Sequence, residues 1–164
     1  MSLKIRLEQQ LKSARRFSES MLASFKTPEE WTHQVHAQAN HALWFVGHLG
    51  VVDTFAISVL DPSKAKGRSG YQQMFGMGSQ PTPNAEDYPP VEEVLEFMKQ
   101  QRATLLEILQ SLEEEDLDRP TPEGTPDFLP DFASVFQTMA WHEGLHAGQV
   151  TVARRSLGNA PMKG

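Results

Sequence analysis

Three observations place this 164-residue chain in the all-α class, as a four-helix bundle with a long crossover between its second and third helices. Apolar residues recur at three- and four-residue steps in four long segments; no segment sustains period-two alternation; and polar, Pro- and Gly-bearing connections divide the segments. A globin-like or irregular helical packing is the alternative.

In the first segment Leu3, Leu7, Leu11, Ala14, Phe17/Ser18, Met21 and Phe25 follow a helical stripe with Lys, Arg and Glu opposite, which predicts an amphipathic helix over about 3–24. Thr27-Pro28-Glu29-Glu30 has a capping residue followed by Pro at the first helical position, and predicts a short helical turn. The second long helix is expected from a cap at Asn40 to about Leu60, with His41, Trp44/Phe45, His48, Val51/Val52 and Phe55 on its inner face. Asp61-Pro62 ends it. The following stretch to Pro90 has little periodicity, and so long a connection in a compact domain is a crossover or a functional loop.

The third helix is expected over 91–112, facing inward through Val94/Leu95, Met98, Leu105, Ile108/Leu109 and Leu112. EEEDLDRPTPEGTPDFLP then reads as a second polar connection. The fourth helix starts at Pro130 or Asp131 and runs to Leu157, where Gly158 supplies the stop.

A chain of this length suits one domain over 1–164. Fifteen basic against twenty-one acidic residues give a formal charge of -6, so there is no electrostatic footprint for nucleic acid. Without cysteine there are no disulfides, thiolate ligands or protein thiol nucleophiles, and any thiol chemistry needs a thiol from outside. The opening MSLKIRLEQQLKSARRF is charged throughout and unlike a secretory signal, which makes a cytoplasmic location the expectation. The most apolar run, Ala42 to Leu60, carries His48 and Asp53, and is expected to be a buried helix with no role in a membrane.

His142-Glu143-Gly144-Leu145-His146 spells the H-E-x-x-H of zinc proteases. His142 and His146, four apart on a helix, put their Cβ atoms about 5–6 Å apart on one face, so that both rings can hold one ion. They share a stripe with Val135, Met139, Gln149 and Ala153, a core seam in which unsatisfied polar rings would be costly. His48 faces inward on the second helix and gives a third nitrogen, leaving an open coordination position. The competing account is a set of core histidines hydrogen-bonded to neighbouring helices. His33 and His36 lie outside this set, His41 is a reserve ligand, and Asp53 should point away. A protease is disfavoured: no His, Asp or Glu follows His146, positions 149 and 152 break the extended motif, and no substrate-binding strand is evident.

WFVGHLGVVD (44–53) and MAWHEGLHAGQVTVARRSLG (139–158) together resemble the DinB/YfiT-like superfamily of small metal-binding four-helix proteins. Carried over residue by residue, the resemblance implies metal ligation by His48, His142 and His146. It also implies zinc or nickel, a homodimer, and relatives that are thiol-dependent transferases or isomerases or are called hydrolases. Three neutral imidazoles leave a bound Zn(II) or Ni(II) its full charge, suited to activating a bound water or thiol.

The expectation is therefore a metal-dependent enzyme acting on a small molecule, of thiol-S-transferase or hydrolase type. It would use an external low-molecular-weight thiol, with Glu143 or Gln149 orienting the nucleophile. The alternatives are a non-catalytic metal-binding or stress-response protein, or a metal that only ties two helices together. Metal binding is expected to weaken below about pH 6 as unperturbed imidazoles protonate. Tyr71, Met74, Phe75 and Met77, among glycines in the crossover, are a candidate lid over the open position, with padding of the bundle or of a dimer contact as the alternative.

Overall fold

A computed structural model of the chain describes residues 1–162. Among the described residues there are six α-helices: α1 (Leu3–Leu22), α2 (Pro28–Trp31), α3 (Ala42–Leu60), α4 (Tyr71–Phe75), α5 (Val91–Ser111) and α6 (Phe132–Ser156). The described residues contain no β-strand; a single bridge between Pro120 and Asp131 closes the loop that leads into α6.

Most helix ends follow from local chemistry. Ser2 and Thr27 cap α1 and α2 through their hydroxyl oxygens. Asp131 and Ser134 satisfy each other's backbone N–H groups in a capping box at the start of α6. Gly158, at φ 86°, takes the left-handed conformation that stops α6. The start of α3 differs from expectation. Its cap is His41, whose Nδ1 accepts the Trp44 N–H at 3.0 Å, while Asn40 lies one residue outside.

Cross-helix bonds fix the helix directions. Arg15 meets Glu143 and Arg154 meets Ser24, so α1 and α6 run parallel. Asp53 meets Arg102 and Gly50 abuts Phe97, so α3 and α5 also run parallel. The two pairs oppose each other: His48 and Asn40 on one side meet His142 and Gln149 on α6, and Arg15 and Lys4 meet Met98 and Gln110 on α5. The connection 61–90 is thereby long enough to return the chain to the end at which α3 began.

The inner-face assignment for α3 was too narrow. Every residue from Ala42 to Val51 is buried, because α5, α6 and α4 pack around it, whereas Phe55, expected inside, is exposed. The helix is long and apolar enough to cross a membrane, but two-thirds (67%) of its apolar window is enclosed by the other helices. Arg15, expected on the polar side of α1, is buried.

Its burial is explained by a four-membered ion network with one residue from each long helix. Asp53 (1% exposed) takes a forked pair of bonds from Arg102 Nε and Nη2 at 2.9 and 3.0 Å. Glu143 (0% exposed) accepts from Arg15 Nε at 2.9 Å and pairs with Arg102 Nη1 at 2.8 Å. Arg15 also reaches Asp53 at 3.3 Å and the Met98 carbonyl at 3.1 Å. Two guanidiniums and two carboxylates balance, which is the condition for burying charge at all.

Candidate metal centre

The antiparallel contact of α3 with α6 sets His48 opposite His142 and His146. The three rings meet through the same atom: His142 Nε2 lies 3.4 Å from His48 Nε2 and 3.1 Å from His146 Nε2. Imidazole nitrogens about 2.0–2.1 Å from one ion stand roughly 3.3 Å apart in a tetrahedral set and about 3 Å apart at right angles. The observed spacing fits a single divalent ion, and the three side chains form a group able to hold one.

The outer nitrogens fix which ring atom is free. His48 Nδ1 donates to the Phe75 carbonyl at 2.7 Å, and His146 Nδ1 donates to Gln149 Oε1 at 2.9 Å. In a neutral ring the Nε2 lone pair then faces the centre. His142 Nδ1 is buried and has no hydrogen-bond partner among the described residues. Burial pushes His48 down to about 4, against the pull of the Phe75 carbonyl. His142 is also pushed down to about 4 by burial, with His146 and His48 adding to the effect and Glu143 opposing it. His146 is lowered by burial, with Gln149 opposing. All three are therefore neutral near pH 7, as ligation requires. Without a cation, the inward lone pairs of His48 and His146 have only one Nε2–H to share, that of His142, and that tautomer leaves the buried His142 Nδ1 as an acceptor without a donor; this weighs against the hydrogen-bonded core-histidine account.

Trp44 walls the centre, stacked on His48 at 4.4 Å between centroids and edge-on to His146 at 5.7 Å. Its indole N–H donates to Ser79 Oγ at 2.8 Å. The Phe75 carbonyl reaches His48 because position 47 has no side chain: a Cβ on Gly47 would lie 2.3 Å from the Phe75 ring. A mid-helix glycine otherwise weakens a helix, so this one serves the close approach of α4.

Tyr71 and Phe75 are accordingly core residues, edge-to-face with each other, with Tyr71 also edge-to-face on Phe97 and Phe75 stacked on Tyr88. They form no lid; Met74 packs against the same core, and Met77 alone of the four projects into solvent. Glu143 also departs from its expected role. A turn of 100° from His142 carries it into the ion network, where Arg102 and Arg15 outweigh its desolvation and hold its carboxyl below the usual range. Gln149 lies at the centre but is bonded to His146 and Asn40.

Asp53 points away as expected, into the network. His41 caps α3 and meets the Tyr88 hydroxyl at 3.2 Å; His33 bonds Ser156, and His36 accepts from the Gln38 N–H. None of the three joins the cluster. Sequence reasoning missed the Phe75 carbonyl, Asn40 and the buried Arg15 and Arg102. Only Gly47, directly before His48, carried a signal for any of them.

The family model of the DinB superfamily matches residues 7–150, and the chain belongs to that superfamily. No curated protein matches it.

Proposed function

We propose that this DinB-superfamily protein is a 1–164 single-domain four-helix bundle with a crossover at 61–90, binding one Zn(II) or Ni(II) through His48, His142 and His146. On this reading it acts on a small molecule as a transferase or hydrolase. The observation that carries it is the convergence of three Nε2 atoms, two of them fixed as lone-pair donors by acceptors behind the ring. A bound ion would supply Lewis acidity toward a thiol, water or carbonyl at its open position. The three rings would hold the ion, and Trp44 packs beside it against His48 and His146. A thiol-S-transferase is favoured, because a cysteine-free chain draws its thiol from outside.

Elemental analysis of purified protein, followed by turnover of a thiol-reactive electrophile with a low-molecular-weight thiol, tests this. Metal-loaded protein should turn over and chelated protein should not. Equal rates from both would sink the catalytic reading.

One observation favours a non-catalytic metal-binding protein as the second reading. The cleft of about 350 Å³ bounded by Trp31, Leu43 and Tyr88, and the shallow one of about 500 Å³ between α1 and α6, are lined by none of the three histidines. A homodimer is supported by the outer face of α6, where Trp141 (65% exposed), Leu145 and Val152 flank Gly144 and Gly148 and the one charge of the stretch, Glu143, is buried on the other side. A cytoplasmic location accords with the enclosure of the one long apolar helix.

A further inference from the structure

We propose that Asn40 is a positioning residue for the histidine centre, locking the amide of Gln149 so that His146 presents a lone pair inward; this rests on the metal-binding reading above. Two donors converge on one oxygen: Asn40 Nδ2 donates to Gln149 Oε1 at 3.0 Å, and His146 Nδ1 donates to the same atom at 2.9 Å. A glutamine amide has an accepting and a donating end. Turned by half a rotation, Gln149 would offer its –NH2 to His146 Nδ1, select the other tautomer and leave an N–H on Nε2, where a ligand lone pair is needed.

Gln149 is solvent-exposed and has little packing to prevent that turn. With Asn40 in place, turning Gln149 alone sets –NH2 against –NH2, donor against donor. The backbone on either side of Asn40 is held in place. Gln34 Nε2 donates to the Ala39 carbonyl at 2.7 Å and to the Pro81 carbonyl at 3.3 Å, and His41 on the other side caps α3. The bond therefore links the segment that starts α3, bearing His48, to the last turns of α6, bearing His146.

Position 40 can be changed without changing its shape. Asn40→Asp can only accept, so it draws the –NH2 of Gln149 toward itself and favours the unproductive tautomer. Its added negative charge alone would tighten cation binding, so the two effects have opposite signs. Gln149→Glu accepts at either oxygen, needs no lock, and should make position 40 irrelevant to His146.

The experiment measures Zn(II) affinity by chelator competition at pH 7 for wild type, Asn40→Asp, Asn40→Ala, Gln149→Glu and Asn40→Ala/Gln149→Glu, with unfolding of each metal-free form alongside. Loss of an outer partner to a ligating histidine typically lowers metal affinity by about 10–100-fold. The expected order is Gln149→Glu at or above wild type, Asn40→Ala weakened, and Asn40→Asp weakest, with the double variant restored to wild-type affinity. A loop-tethering role would not be rescued by a change at 149. Asn40→Asp binding as tightly as wild type, or no rescue in the double variant, overturns the proposal while leaving the metal reading intact. A wild type that takes up no zinc overturns both.

Discussion

Glu143→Gln separates a structural from a catalytic role for the glutamate of the H-E-x-x-H string. The side chain is fully buried, and its carboxylate pairs with Arg15 at 2.9 Å and Arg102 at 2.8 Å. The amide keeps the shape but removes one of two negative charges, leaving two buried guanidiniums to share Asp53. Breaking a buried pair from one side costs about 3–5 kcal/mol, chiefly through the uncompensated partner. Against a total stability of about 5–15 kcal/mol this is a large fraction. At roughly 2–4 °C per kcal/mol for a chain of this size, the melting temperature should fall by about 6–20 °C.

Urea unfolding of the metal-free protein is the assay, because bound metal would add its own linkage. Metal stoichiometry should survive in the folded variant, since the carboxylate does not face the histidine nitrogens. A stability loss below about 1 kcal/mol, together with abolished metal uptake or turnover, would refute this reasoning and return Glu143 to the centre.

His48→Ala, His142→Ala and His146→Ala should each abolish stoichiometric metal binding while His33→Ala and His36→Ala leave it intact, as read by elemental analysis. Because burial lowers all three rings, with His48 and His142 held at about 4, metal affinity should begin to fall at a lower pH than unperturbed imidazoles near 6.5 would give. A tenfold loss already at pH 6 would contradict it. His41, lowered by burial from 6.5 to about 4, stays neutral in the fold while the unfolded chain takes up a proton. Its stabilising contribution is therefore complete above pH 6.5, declines between 6.5 and 4, and amounts to at most about 3 kcal/mol. His41→Asn keeps a capping acceptor without a titrating ring, and should flatten the pH dependence of metal-free stability. Phe75→Ala should cost about 3–5 kcal/mol in chemical unfolding, as emptying a core site does; a cost under 1 kcal/mol would revive the lid.

The four long helices were legible because their exposed faces are polar, so periodicity locates them and caps bound them. Where a helix is buried on every side, as α3 is between Ala42 and Val51, the apolar stripe disappears, and Phe55 was placed inside for want of a contrasting face. Arg15 and Arg102 were unreadable for a related reason. A charged residue in a helix normally marks the solvent side, and only the simultaneous presence of Asp53 and Glu143 on two other helices makes the interior acceptable. The clustered histidines could be read because two share one helix and the third lies on an apolar stripe. Their outer partners could not, because a backbone carbonyl such as that of Phe75 leaves no mark in residue identity, and Asn40 becomes significant only when α3 and α6 are seen side by side.

The protease-like spelling of 142–146 is resolved by the same geometry. Four residues bring two histidines round to one face, whereas one residue turns the intervening glutamate about 100° away, so the string leaves its use to whatever packs on that second face. In this protein α1 and α5 place Arg15 and Arg102 there, and the third histidine of the cluster comes from α3. The single helix α6 thus carries two independent tasks on adjacent faces, histidines toward α3 and a carboxylate toward the arginines. Changes at 143 should therefore be read in stability and changes at 142 or 146 in metal content, and a substitution that moved both together would mean that the two faces are not independent.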